Sequence, residues 1–273
     1  MNWEQFGYLC RINSSAQLSK SDKLRLSEKA SLSIYQGDND DSELAKALVV
    51  GVVSQDEIAA QKSATYYQCL PKLINDFKFE HKGWLVYLTF VFAFFCLSSL
   101  LYQLFVVPAF VDMYSMNQQH DHNIFDSYFR YWYVPNISLF LLLSFILSVI
   151  LKLKNASILS ELKPFSGLFK VFFPRKLVKN YETLTAILFF PLSSVNSGVT
   201  TTETKHLYEC EALGLNAQNE FEVLLQQQLK QFNQRAKYFI NKLIIVYGAV
   251  IVVSIYLFVS AAYKPLFMYG EVL

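Results

Sequence analysis

The sequence predicts an all-α membrane protein with three transmembrane helices and two small cytoplasmic helical bundles. Three uncharged apolar stretches predict the spans, at 84–107, 131–151 and 243–263. At about 1.5 Å of rise per residue, each covers roughly the 30 Å of a bilayer hydrocarbon core. The chain is 53% hydrophobic yet keeps 17% charged residues, which leaves enough polar sequence for sizeable aqueous parts.

The spans divide the chain into alternating aqueous and membrane segments. The predicted segments are a first cytoplasmic helical domain at 1–83, transmembrane helix 1 at 84–110, a periplasmic loop at 111–130, transmembrane helix 2 at 131–151, a second cytoplasmic helical domain at 152–242, transmembrane helix 3 at 243–263 and a periplasmic tail at 264–273. The orientation follows from charge. Residues 1–83 hold 10 Lys and Arg, and 152–242 are also rich in them, whereas 111–130 hold Arg130 against three aspartates. The positive-inside rule then predicts a cytoplasmic N-terminus and a periplasmic C-terminus.

The first domain reads as a series of short amphipathic helices. Residues 1–35 have the pattern of a helical hairpin, in which Ser19 is the predicted N-cap of the second helix. Ser42 is placed to cap a helix that starts at Glu43. The Ser54-x-x-Glu57 spacing is that of a capping box and opens a long helix.

The second domain begins with a basic connector, 152–174, whose Phe-Lys-Val-Phe-Phe run is predicted to lie against the membrane surface. A helix from Arg175 is predicted to end at Ser197-Gly198, and Thr200 to cap the next helix with Glu203. Asn216–Lys242 is predicted to be a last amphipathic helix that can run unbroken into the third span.

An internal repeat is indicated at two offsets. An offset of 183 pairs Phe6 with Phe189 and Leu9 with Leu192, and an offset of 157 pairs Pro108-x-Phe110 with Pro265-x-Phe267. Chance could produce either match alone. Because both occur in the same order along the chain, the pattern favours a duplication.

The spans contain no Asp, Glu, Lys, Arg or His, which argues against an ion-driven or proton-driven carrier. Their polar residues are predicted to form hydrogen bonds between helices rather than to line a path; they include Gln103, Asn136, Ser98 and Ser99. The His120-Asp121-His122 group reads as a solvated acidic loop more readily than as a metal site. No catalytic motif is present, so we expect no enzymatic activity, no cofactor and no metal.

Four stretches together resemble one known family, the inner-membrane platform proteins of type II secretion systems (the F family) and of type IV pili. Leu192–Leu207, LSSVNSGVTTTETKHL, is similar to that family's helix ending in Ser-Gly-Val-Pro, with Thr200 in place of the proline. Gly37–Leu48 resembles its Gly-x-Ser-Leu helix start, and Val106–Ser115 and Ser260–Leu273 resemble its Pro-x-Phe stretches. The chain resembles a short, divergent member.

The resemblance implies a platform without catalysis in the bacterial inner membrane. Its implied partners are a cytoplasmic assembly ATPase, pilin or pseudopilin subunits, other inner-membrane assembly proteins and further copies of the chain. Nucleic acid is not expected, since the net charge is only +2. The candidate structural or partner-contact residues are Ser197, Gly198, Val199, Pro108, Phe110, Pro265 and Phe267. The alternative is a membrane subunit of a small-molecule or peptide transporter, and a lipid-modifying membrane enzyme is a third reading.

Overall fold

The computed structural model describes residues 1–28, 32–35, 41–53, 57–77, 82–109, 112, 133–165, 169–192 and 201–270. These residues form helices joined by turns and contain no strand, which confirms the all-α prediction. The helices are α1 (Trp3–Ser14), α2 (Lys20–Leu26), α3 (Glu43–Val52), α4 (Glu57–Tyr67), α5 (Leu70–Asp76), α6 (Lys82–Leu101), α7 (Tyr133–Ser157), α8 (Phe169–Phe172), α9 (Arg175–Leu188), α10 (Thr202–Ala212) and α11 (Ala217–Gly270).

Three helices in the described part of the chain are long and apolar enough to cross a membrane. They lie at Gly83–Ala109, Tyr133–Ser157 and, within α11, Ala217–Leu257. The three predicted spans are therefore confirmed. The second predicted span began at 131, and the described helix begins at Tyr133.

The chain divides into two compact units, and each combines segments that are far apart in sequence. Unit 1 consists of Met1–Phe79 and Lys152–Phe239, and unit 2 of Glu80–Leu151 and Ile240–Leu273. Both predicted cytoplasmic domains thus belong to unit 1. The structure does not show two separate bundles.

Unit 1 has one core, to which both of its segments contribute aromatic rings. Phe6 on α1 contacts Tyr67 on α4, with 5.7 Å between ring centroids, and Tyr67 lies 6.3 Å from Phe221 on α11. All three side chains are fully buried. The Tyr67 hydroxyl donates a hydrogen bond of 2.7 Å to the carbonyl of Leu188, at the end of α9. Neither segment therefore encloses its own core.

Two of the predicted helix N-caps, Ser19 and Ser42, are confirmed. Ser19 accepts a hydrogen bond from the backbone of Asp22, and Ser42 accepts one from Ala45, as N-caps do. The cap of α10 is Thr201 rather than Thr200. Ser54 lies outside the described residues.

Helix α9 ends at Leu188, nine residues before the predicted end at Ser197. Pro191 follows three residues later. A proline disfavours helical geometry in the residue before it, and it lacks the N–H that would continue the helix. Phe190–Leu192 form a 3-10 turn instead. The offset of 183 would match α1 to residues 186–197, of which the structure describes 186–192. These residues hold the end of α9 and the 3-10 turn.

Helix α11 is continuous for 54 residues, which confirms the predicted run from the amphipathic helix into the third span. The helix also continues past Tyr263, where the span was predicted to end, to Gly270. It passes through Pro265, and membrane helices tolerate proline when other groups satisfy the freed carbonyl.

We predict that Gly7→Ala destabilises unit 1. A Cβ at Gly7 would overlap Cγ of Pro71, whose ring cannot rotate away. In a helix interior, alanine is normally more favourable than glycine by about 1 kcal/mol. Overpacking at this position costs about 1–3 kcal/mol, which outweighs that gain. Thermal unfolding in detergent should show a lower midpoint for Gly7→Ala.

Gly248→Ala in α11 is the matched control, because a Cβ there meets nothing within 4 Å. Its midpoint should be unchanged or higher. Equal midpoints for the two variants would contradict the close contact between α1 and α5.

Candidate functional site

Of the seven predicted contact residues, the structure describes the backbone of three, which are Pro108, Pro265 and Phe267. Pro108 is exposed in the last turn of the first spanning helix. Pro265 and Phe267 lie in the final turns of α11. Phe110, Ser197, Gly198 and Val199 lie outside the described residues. Their role as partner contacts stays a prediction.

A π-helical segment, Tyr102–Val106, interrupts the first spanning helix just before Pro108. The N–H of Val107 bonds to the carbonyl of Tyr102, five residues earlier. Proline removes the donor that would continue the regular ladder and crowds the preceding turn, which are recognised causes of such a bulge. Bulges of this kind occur frequently at functional sites.

The first two spanning helices are joined by a polar pair inside unit 2. The side-chain amide of Asn136 donates a hydrogen bond of 3.0 Å to the hydroxyl of Ser99. Phe92 and Phe140 contact each other farther along the same helices, at 6.0 Å between centroids. The prediction that Asn136 and Ser99 link helices is confirmed.

A cavity of about 370 Å³ lies between α6, with its π segment, and α11 in unit 2. We call it the intramembrane groove. Its lining is apolar except for two serines and a tyrosine, and comprises Val91, Phe94, Phe95, Ser98, Ser99, Tyr102, Ile251, Ile255 and Val259. Small residues such as Ser98 allow another helix to approach closely in a membrane.

The principal junction of unit 1 is the turn that follows α7, residues 158–161. Leu159 has a φ of 52°, in the left-handed region that non-glycine residues seldom adopt. This backbone turns its carbonyl groups toward three other elements. We call it the post-span turn.

The carbonyls of the post-span turn accept hydrogen bonds from both segments of unit 1. The indole N–H of Trp3 donates to Ile158, and the hydroxyl of Ser42 to Leu159, both at 2.7 Å. The backbone N–H of Glu43 donates to Ser160 at 2.7 Å. The Tyr181 hydroxyl on α9 donates to Glu161. The turn therefore fixes α1, the start of α3 and α9 to the chain that leaves the second span.

Helix α11 is held in unit 1 by polar contacts on several turns. Asn180 on α9 donates to Gln228 within the core, where both side chains are buried. Asn233 donates to the carbonyl of Phe77, and Gln218 to that of Thr65 at 3.2 Å. Residues 217–239 of α11 are thus hydrogen-bonded to both segments of unit 1.

The described titratable groups include a histidine of α10 that lies near a carboxylate of α11. His206 lies 3.9 Å from Glu220, with both side chains largely exposed, and 3.5 Å from the sulfur of Cys210. No group of three potential metal ligands occurs among the residues that were placed. His120, Asp121 and His122 lie outside them.

The fold and these sites define a helical protein with three helices that can span a membrane. Comparison with family models, with curated proteins and with solved structures finds no match. The resemblance to the platform proteins therefore rests on the quoted motifs alone.

Sequence reasoning missed the post-span turn, because Ile158-Leu-Ser-Glu161 carries no turn residue such as Gly, Pro or Asn.

We predict that Ser42→Ala lowers the free energy of unfolding by about 2–4 kcal/mol. The change removes an N-cap, worth about 1 kcal/mol, and leaves the buried Leu159 carbonyl without its donor, at about 1–3 kcal/mol. Thermal or denaturant unfolding in detergent measures the loss.

Ser19→Ala is the control for Ser42→Ala. Ser19 also caps a helix, but it is exposed and bonds only to its own segment. Its loss should cost no more than about 1 kcal/mol. A Ser42 variant as stable as the Ser19 variant would show that the post-span turn does not hold unit 1 together.

Proposed function

We propose that this chain is a non-catalytic platform protein of the bacterial inner membrane, for the assembly of a type IV pilus or a type II secretion pseudopilus. It would couple a cytoplasmic assembly ATPase to the insertion of pilin or pseudopilin subunits. The proposal starts from the motif resemblance in Leu192–Leu207 and in the two Pro-x-Phe stretches. The observation that carries it further is the unbroken helix α11.

The coupling would run through α11. Its residues 217–239 are held by both segments of unit 1 through the hydrogen bonds of Gln218, Gln228 and Asn233. The same helix then continues into the apolar stretch from Leu243 without a break. A movement imposed on unit 1 by an ATPase would reach the membrane along this helix, so no hydrolysis is needed in this chain.

The intramembrane groove is where we place the fibre subunit. Its apolar lining suits the apolar side chains of a subunit's membrane helix, and Ser98 and Ser99 are small enough for close approach. Unit 1 would be cytoplasmic under the positive-inside rule and would receive the ATPase.

The proposed partners can be captured directly. A photoreactive amino acid at Ser98 should crosslink to pilin-like subunits in native membranes, because this position lines the groove. Mass spectrometry of the purified complex should also recover a hexameric-type ATPase. A photoreactive residue at Ile137, which is exposed on α7 and does not line the groove, is the control and should give less of the subunit crosslink.

Recovering neither partner, under conditions that preserve a known platform complex, would contradict the platform function. Recovering the ATPase with equal subunit crosslinks at Ser98 and Ile137 would retain the platform and refute the groove as the docking place.

The mechanical role of α11 has its own test. A flexible Gly-Ser insertion after Lys242 should abolish fibre assembly while leaving expression and membrane insertion intact, because it uncouples residues 217–239 from the apolar stretch. The same insertion after Gly214 is the control. Gly214 lies in the exposed turn before α11, with φ +74°, so the helix stays continuous. Assembly that survives the Lys242 insertion would refute the lever.

A further inference from the structure

Two large apolar side chains of unit 1 are exposed on the short helix α8. Val171 is 83% and Phe172 is 56% exposed, whereas the next residue, Phe173, is buried. Phe173 packs on Phe165 at 4.7 Å between centroids, which anchors the segment. Val171 and Phe172 are therefore held outward by an ordered neighbour.

The position of this segment along α11 indicates what it faces. Phe173 contacts Phe239 of α11 at 5.6 Å, and Arg235 of α11 donates a hydrogen bond of 3.1 Å to the carbonyl of Lys176. The uncharged apolar stretch of α11 begins four residues after Phe239, at Leu243. At 1.5 Å per residue, this is about 6 Å farther along the helix. The segment thus lies at the level where α11 enters the apolar phase.

The charges around the exposed pair have one sign. Arg175, Lys176 and Lys179 are exposed at the start of α9. Residues 169–181 contain no Asp or Glu, and neither do residues 223–270. A surface that combines exposed Phe and Val with exposed positive charge matches the chemistry of an acidic lipid bilayer, which offers apolar chains beneath anionic phosphates.

We propose that Val171, Phe172, Arg175, Lys176 and Lys179 form a binding surface for acidic phospholipids. Val171 and Phe172 enter the headgroup and acyl boundary, and the three cations contact lipid phosphates. The sequence alone indicated only that the Phe-Lys-Val-Phe-Phe run meets the membrane. The ring contact with Phe239 and the bond from Arg235 add its depth and the basic residues that accompany it. This inference does not depend on the platform function, since it needs only the membrane-spanning character of α11.

Depth in the bilayer can be measured with the full chain in nanodiscs of acidic and zwitterionic lipid. A nitroxide label at Val171→Cys should be more accessible to oxygen than to an aqueous nickel chelate. The background replaces all four free cysteines by alanine, at Cys10, Cys69, Cys96 and Cys210, so that the label attaches at the introduced position alone.

Leu213→Cys is the matched control, because Leu213 is 78% exposed in the turn between α10 and α11. Its label should favour the aqueous chelate. If the label at 171 behaves like the label at 213, the proposed insertion is wrong.

Lipid charge is tested with Arg175→Gln, Lys176→Gln and Lys179→Gln combined. In detergent, this variant should bind acidic phospholipid about 100-fold more weakly than the unchanged chain, since each cation near an anionic surface contributes about 1 kcal/mol and 1.4 kcal/mol is tenfold in affinity. The control removes the same charge elsewhere in unit 1, through Lys20→Gln, Lys23→Gln and Arg25→Gln on α2, and should keep the lipid. An equal loss in both variants would mean that net charge alone attracts the lipid, and no loss in either would refute the cation contacts. A loss of lipid in the α9 variant alone, together with a label at 171 that is buried only in acidic nanodiscs, would support binding to acidic phospholipid rather than to bilayers in general.

Discussion

The post-span turn is the constraint on which unit 1 depends. Four successive carbonyls, from Ile158 to Glu161, accept hydrogen bonds from Trp3, Ser42, Glu43 and Tyr181. A buried carbonyl that lost its donor would cost about 1–3 kcal/mol. The left-handed geometry of Leu159 persists because its neighbours on all sides fix it. The N-terminal segment is thereby tied to the chain that follows the second span.

This tie explains why the two segments of unit 1 share a core. Residues 1–79 make up a short segment, and short chains bury a smaller fraction of their surface and are correspondingly marginal in stability. Tyr66 and Tyr67 gain Phe221 as a neighbour only because α11 lies against α4. The buried Asn180 and Gln228 pair would be costly without each other, so it favours one alignment of α9 on α11. Packing and polar satisfaction therefore select the same arrangement.

The features that were predicted correctly are local ones. A span is a property of about 20 consecutive residues, and a Ser19 or Ser42 cap depends on the next three. The association of 1–79 with 152–239 depends on contacts more than 100 residues apart, such as Tyr67 with Leu188, which no periodicity reports. The early end of α9 was missed because Pro191 was outweighed by the Ser-Gly signal farther on. For the candidate site, the sequence identified Ser99 and Asn136, but the intramembrane groove requires knowing that α6 lies beside α11.

The chemistry of the spans limits how the protein could do work. The predicted stretches 84–107, 131–151 and 243–263 contain no Asp, Glu, Lys, Arg or His, which argues against a proton or ion relay built from them. Unit 2 contains a polar pair between helices, a π segment and an apolar groove. Features of these kinds serve helix packing and local conformational change in membrane helices. Any directed movement in the membrane would then have to be delivered from outside the apolar phase. Helix α7 leads into the post-span turn, which accepts hydrogen bonds from both segments of unit 1, and α11 begins within unit 1 before it continues into the third apolar stretch. We therefore favour the mechanical role proposed above over a transport site.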